Sequence, residues 1–377
     1  MNRSANTPVR IGSLEVLRGI GALWVCGLHA RAILWVGLRQ ATEERSSNFD
    51  PQWWAALASY PFSFGGAGVQ LFFVLSGYCI HRSTLNRGPL GSAANSYAGY
   101  FLRRFSRIYP VLLASLVLTA LFDQLSAGLG ASAQELGDRS LAGLLSNVLS
   151  LQGVWHDNFG SNVALWSLAV ELHLYVAYPL LVWVLERKGL RLLLVGSLAV
   201  SVASQVLIEG YLPQLTLFAP YLFNWTLGLA VAEGGSRFRS SRWRITIYCL
   251  LLLGAFAAQI NGAQFIAVLL QGISFAGFLH TAARADRPFV PRLVWRALLK
   301  VGEFSYSLYA CHVPVLLALR YLVWNGKQSS SLLAVAAGGL VCLTVGWALY
   351  ATVERPFLLR MRKQASRGHP AGSRGLG

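Results

Sequence analysis

The feature that most constrains this chain is the placement of ionisable residues inside long apolar segments. Leu14-Glu15-Val16-Leu17-Arg18-Gly19-Ile20-Gly21-Ala22-Leu23-Trp24-Val25-Cys26-Gly27-Leu28-His29 reads as a membrane helix with an arginine and a histidine eleven residues apart. At ~100° and ~1.5 Å per residue, eleven steps bring Arg18 and His29 to nearly one face, roughly 16 Å apart along the axis. A charged side chain inside a bilayer costs several kcal/mol unless it faces protein or water, so its default reading is a functional site. Glu171, His173 and His312 sit inside other apolar stretches. The chain reads as a membrane protein with polar chemistry in its interior.

Composition agrees. The 377 residues are 55% hydrophobic and only 12% charged, with a mean hydropathy of +0.49, whereas a soluble domain carries about a quarter charged residues. Apolar runs predict an all-α, polytopic protein with spans near 14–37, 61–80, 105–122, 163–185, 190–208, 214–233, 243–260, 262–280, 298–323 and 329–352. The formal net charge of +17 invites a nucleic-acid reading, but its distribution argues for topology. With the N-terminus in the cytoplasm, 25 of the 32 lysines and arginines fall on cytoplasmic segments. Only Arg39, Arg45, Arg139 and Lys327 fall outside. That is the positive-inside bias of ten spans with both termini cytoplasmic, and no nucleic-acid partner is expected.

The first apolar segment is too long, and too polar at Arg18 and His29, for a cleaved signal peptide. Cys26, Cys79, Cys249, Cys311 and Cys342 lie in or at the ends of spans without CxxC spacing, which predicts packed thiols and no metal site. Segment 38–60 carries Trp53 and Trp54, suited to a membrane interface. Segment 123–162 is polar but holds an apolar stretch, Leu141–Leu151, too short to span. The membrane domain is expected over 1–360, followed by a basic, disordered cytoplasmic tail over 361–377.

Five local patterns occur in order. Arg18 followed by His29 is the first, and Gly65-Gly66-Ala67-Gly68-Val69-Gln70-Leu71-Phe72-Phe73-Val74-Leu75-Ser76-Gly77 the second. Then come Arg103-Arg104-Phe105-Ser106-Arg107-Ile108-Tyr109-Pro110 and Leu165-Trp166-Ser167-Leu168-Ala169-Val170-Glu171-Leu172-His173-Leu174-Tyr175. Last is Ser305-Tyr306-Ser307-Leu308-Tyr309-Ala310-Cys311-His312, with Glu354-Arg355-Pro356-Phe357 closing the domain. Together they resemble the acyltransferase-3 family of bacterial integral membrane O-acyltransferases over roughly 11–360. Some members carry a fused C-terminal esterase-like domain, which is not expected here.

The resemblance implies an enzyme of the bacterial inner membrane, in contact with membrane lipid. It would take an acyl group, most often acetyl, from cytoplasmic acyl-CoA and place it on a hydroxyl of a cell-surface or exported glycan, such as an O-antigen or exopolysaccharide. On that reading Arg18, Arg104 and Arg107 are coenzyme contacts, because guanidinium groups hold phosphates through forked, charge-assisted bonds. His29 is the general base for the acceptor hydroxyl, and Glu171 orients or charge-stabilises an imidazole. Counting from helix ends puts His29, Glu171 and His312 at one depth, ~12 Å below the external surface.

Plainer readings stand beside these. Arg18 could pair with Glu15 at the interface, Arg104 and Arg107 could report topology, and the buried histidines and Glu171 could lock helices together. His173 faces away from Glu171, His81 and Arg82 are weaker rim candidates, and Tyr306 and Tyr309 fit cavity lining. The glycine-rich stretch has no strand before it and no Lys-Ser/Thr pair after it, so it is not a phosphate loop. Ser76 as an acyl carrier lacks a nucleophile elbow. A rival class is a proton-coupled transporter using buried His, Glu and Arg, although no internal repeat is visible. A third is a membrane protein that binds lipid or glycan without chemistry.

Overall fold

The computed structural model describes residues 12–43, 50–211, 218–234, 242–285, 288 and 290–367. Backbone polar groups in a bilayer must be satisfied within their own segment, which leaves helices or closed barrels. The described residues form helices with only isolated bridges between extended residues. In chain order they are α1 (Gly12–Leu34), α2 (Leu38–Glu43), α3 (Pro51–Ala58), α4 (Ala67–Arg87), α5 (Tyr97–Gly128), α6 (Ala133–Leu136), α7 (Leu141–Val148) and α8 (Trp166–Tyr211). There follow α9 (Leu222–Glu233), α10 (Arg242–Ile260), α11 (Gln264–Ala285), α12 (Arg292–Glu303), α13 (Ser305–Trp324), α14 (Leu333–Leu349) and α15 (Arg355–Arg367).

Among the described residues, eight stretches are long and apolar enough to cross a membrane, which makes this a polytopic α-helical membrane protein. One of them, Val163–Gln205, holds two of the ten expected spans. They join at Gly189, whose φ of 81° is open to glycine and costly for other residues. A further expected span, 214–233, shows only α9, and residues 212–217 lie outside the described part.

Two boundaries depart from expectation. The span expected over 298–323 starts at Ser305. Before it, α12 forms a separate helix bearing Arg292, Arg296, Lys300 and Glu303, with Leu293 80% exposed. Too many charges for a bilayer interior keep it apart, and Gly302 lets its end pack on the Glu15 backbone of α1. The tail expected to be disordered from 361 is instead helical through Arg367, and residues 368–377 lie outside the described part.

The core gathers α1, α4 and α13, with α5, α8, α9 and α11 around them. α4 and α9 approach backbone to backbone. A Cβ at Gly77 would meet the Trp225 carbonyl, and one at Gly228 the Val74 carbonyl. Small residues permit such contact where no hydrophobic effect drives helices together.

The segment after α5 is tied down rather than loose. Asp123, fully buried, accepts from Ser161 N at 2.8 Å and Ser161 Oγ at 2.5 Å. Asn162 donates to the Ala310 carbonyl at 2.8 Å, a group left without its helical donor because Pro314 has no N–H. Glu135 meets Arg320 and Tyr321 of α13. Burial works against ionisation there, but hydrogen bonds from Tyr321, Ser132 and Arg320 outweigh it and hold the Glu135 carboxyl at about 2. α7 leaves Leu141 and Leu145 exposed on one stripe, as a helix lying in an interface would.

Two outcomes test this architecture. A reporter fused after residue 90 should read cytoplasmic and one inserted at Gly137 external; an external signal at 90 would overturn the assigned orientation. Gly228→Val should cost about 1–3 kcal/mol by overpacking, seen as a lower unfolding temperature in detergent. Gly196→Ala, in open space, should not.

Candidate active site

Two polar assemblies lie along α1. The inner one is a cavity of about 100 Å³ lined by Arg18, Ser76, Arg104, Arg107, Glu171 and Tyr175, with Phe72, Ser167, Tyr306 and Tyr309 among its other walls. Four helices build it: α1, α4, α5 and α8, closed by the first turns of α13. Three of its polar residues are arginines on the side that the charge bias assigns to the cytoplasm.

Arg18 Nη1 donates to Glu15 Oε1 at 3.0 Å and Nη2 to Cys79 Sγ at 3.2 Å. Arg18 thus makes the pairing with Glu15 that the plainer reading expects, and it also lines the cavity. Arg104 donates to Ser83 Oγ at 3.2 Å and lies 5.7 Å over the Tyr100 ring, while its buried Nε has no partner. Among the described residues, no carboxylate lies within ion-pair reach of Arg104 or Arg107. Two guanidinium groups at a cavity without acidic partners leave their forked donors for an anion.

Glu171 accepts from Ser76 Oγ at 2.8 Å and from Tyr175 OH at 2.5 Å, both at Oε1. Trp225 Nε1 donates in turn to Ser76 Oγ at 3.3 Å. This corrects the expectation that Glu171 orients an imidazole. Its carboxylate belongs to the arginine-lined cavity, and its hydrogen bonds go to hydroxyls.

The outer assembly is a histidine pair. His312 Nε2 lies 3.0 Å from His29 Nδ1, with ring centroids 4.9 Å apart. His312 is fully buried and its Nδ1 meets the Tyr309 carbonyl at 2.7 Å; His29 Nδ1 also meets the Val25 carbonyl at 3.1 Å. The depth count thus brought His29 and His312 to one level, although α13 begins seven residues later than assumed. Glu171 separates from them. Tyr309 stands between the two assemblies: it lines the cavity, its hydroxyl is 2.6 Å from Ser167 Oγ, and its ring is 5.7 Å from that of His312.

The weaker candidates resolve into packing. His173 does not line the cavity and lies against Phe218, Trp166 packs on Phe73 and Tyr221, and His81 bridges Tyr178 and Glu233 at 2.9 and 2.5 Å. Sequence reasoning gave no role to Tyr175 or Cys79. Tyr175 was findable, four residues from Glu171 on one helical face. Glu354 was quoted only as part of a closing motif; it is buried and accepts from Ser307 Oγ at 2.6 Å, holding the start of α13.

A bundle of membrane helices that sets an arginine-lined cavity beside a histidine pair has the form of a group-transfer enzyme. The chain belongs to the acyltransferase-3 family: residues 11–351 match its acyltransferase domain. It is 27% identical over 305 residues to a putative peptidoglycan O-acetyltransferase, YrhL, of Bacillus subtilis, covering 67% of this chain and 44% of that protein. The peptidoglycan O-acetyltransferase OatA of Listeria monocytogenes is 23% identical, over 69% of this chain and 47% of its own. The acyltransferase MdmB of Streptomyces mycarofaciens is 24% identical over 96% of both. The chain thus spans less than half the length of the two peptidoglycan relatives. No solved structure matches it.

Proposed function

We propose that this chain is a bacterial inner-membrane O-acetyltransferase that moves an acetyl group from cytoplasmic acetyl-CoA to a hydroxyl of a cell-surface or exported glycan. The observation that carries the reading is the cavity that α1 shares with Arg104 and Arg107, two arginines without acidic partners, and the histidine pair farther along the same helix. Arg18 and His29 are roughly 16 Å apart by helical rise, on the order of an extended pantetheine arm. Phosphates held by Arg18, Arg104 and Arg107 leave the thioester to reach outward past Tyr309. Glu171 fixes Ser76 and Tyr175 in the wall along that path.

His29 then takes the proton of the acceptor hydroxyl as its oxygen attacks the thioester carbonyl. The C–S bond breaks, the acetyl group stays on the sugar oxygen, and the coenzyme leaves as thiolate to be protonated. The peptidoglycan and other O-acetyltransferases among the relatives support a glycan acceptor in general. The transporter reading accounts for the histidines but leaves the arginine cavity without a purpose.

The class is tested in a deletion strain whose surface polysaccharide is weighed by mass spectrometry. Loss of 42 Da-type acetyl mass per repeat unit, restored by complementation, is expected; an unchanged spectrum would overturn the glycan reading. Replacing Arg104 and Arg107 together by Lys keeps the charge but loses the fork. Acetyl-CoA affinity should fall about tenfold or more, since a charge-assisted contact contributes ~1.5–3 kcal/mol; wild-type binding would return both arginines to topology alone. His29→Gln should abolish transfer, because general-base help contributes ~10²–10⁴-fold, while acetyl-CoA still binds.

A further inference from the structure

We propose that His312 is the positioning residue of His29: its bare Nε2 accepts the His29 Nδ1 proton and leaves His29 Nε2 as the lone pair that meets the acceptor hydroxyl. This rests on His29 being the base, and it assigns to a neutral imidazole the part that a carboxylate plays in other acyl-transfer sites.

Hydrogen-bond chemistry sets the tautomers. The Tyr309 carbonyl can only accept, so His312 Nδ1, 2.7 Å away, carries a hydrogen. In a neutral ring its Nε2 then carries none. His29 Nδ1 lies between two acceptors, His312 Nε2 at 3.0 Å and the Val25 carbonyl at 3.1 Å, so it is a donor. The His29 proton is thereby committed on one side, and the opposite nitrogen is free to take another.

Burial explains why the partner is an imidazole. His312 is fully buried, and Cys342 Sγ donates to its carbonyl at 3.6 Å. A carboxylate there would be a buried charge during every idle moment, whereas a neutral ring is charge-free at rest. When His29 becomes an imidazolium, His312 Nε2 still accepts from it and steadies the ring. The Pro314-freed carbonyl of Ala310, taken by Asn162, fixes the turn of α13 that presents the ring.

The test compares His29→Gln, His312→Gln, His312→Leu and His312→Met in membranes supplied with acetyl-CoA and the polysaccharide fraction of the deletion strain. Each variant is scored only if it binds acetyl-CoA like the wild type, so loss of folding is kept apart from loss of chemistry. His312→Leu and His312→Met remove the acceptor and should lower kcat about 10–100-fold with KM for acetyl-CoA unchanged. His312→Gln should restore most of that loss, because its amide oxygen can accept from His29 Nδ1 without titrating. His312→Gln as inactive as His29→Gln would mean that His312 acts through its own protonation, and wild-type kcat in His312→Leu or His312→Met would mean that it does nothing; either overturns the proposal. An active His29→Gln would instead overturn the assignment of the base.

Discussion

Within a bilayer there is no water to fall back on, so each polar group must find its partner inside the protein. The interior of this bundle is organised around that rule. Asn224 donates to Gln70 at 2.8 Å and to the Val268 carbonyl at 2.9 Å, joining α9 to α4 and α11. Ser197 and Thr226 meet at 2.8 Å between α8 and α9. Asp123 and Asn162 clip the outer segment to α5 and α13. These bonds decide which helix faces are inward, and the cavity and the histidine pair occupy positions that the same bonds define. The pairing is not complete everywhere: Arg104 Nε at the cavity, and Asn162 Oδ1 and Asn224 Oδ1 within the clips themselves, have no partner, and one nitrogen of His29 is left over once its neighbours are satisfied.

The division of labour along α1 follows from side-chain chemistry as much as from place. Guanidinium groups stay charged under all conditions and belong at the rim, where a bulky polyanion can arrive from water. An imidazole changes its charge easily and can sit deeper, where it is neutral at rest. Glu171, the acidic residue of the cavity wall, is engaged by Ser76 and Tyr175.

Much of this is legible in the sequence. Hydropathy found the apolar segments, and the helical period put Arg18 and His29 on one face. Counting depth paired His29 with His312 across 283 residues of sequence. The same counting failed for Glu171, because depth says nothing about which way a side chain turns; its neighbours were decided by Ser76 on α4 and by its own i+4 tyrosine. The start of α13 was misjudged because hydropathy averages over a window, whereas the break at Phe304 depends on Gly302 packing against the α1 backbone. The close α4–α9 contact was equally invisible, since glycines in apolar runs look alike until the partner carbonyl is known.

That contact limits how the molecule can move. With Gly77 and Gly228 each seated against a carbonyl of the opposite helix, α4 and α9 form one rigid plate. Sliding either helix by even a fraction of a turn would drive side chains into backbone. A machine that carries its cargo by rocking needs a seam that can open, and this seam is shut. Whatever motion the bundle makes has to be found at seams other than this one.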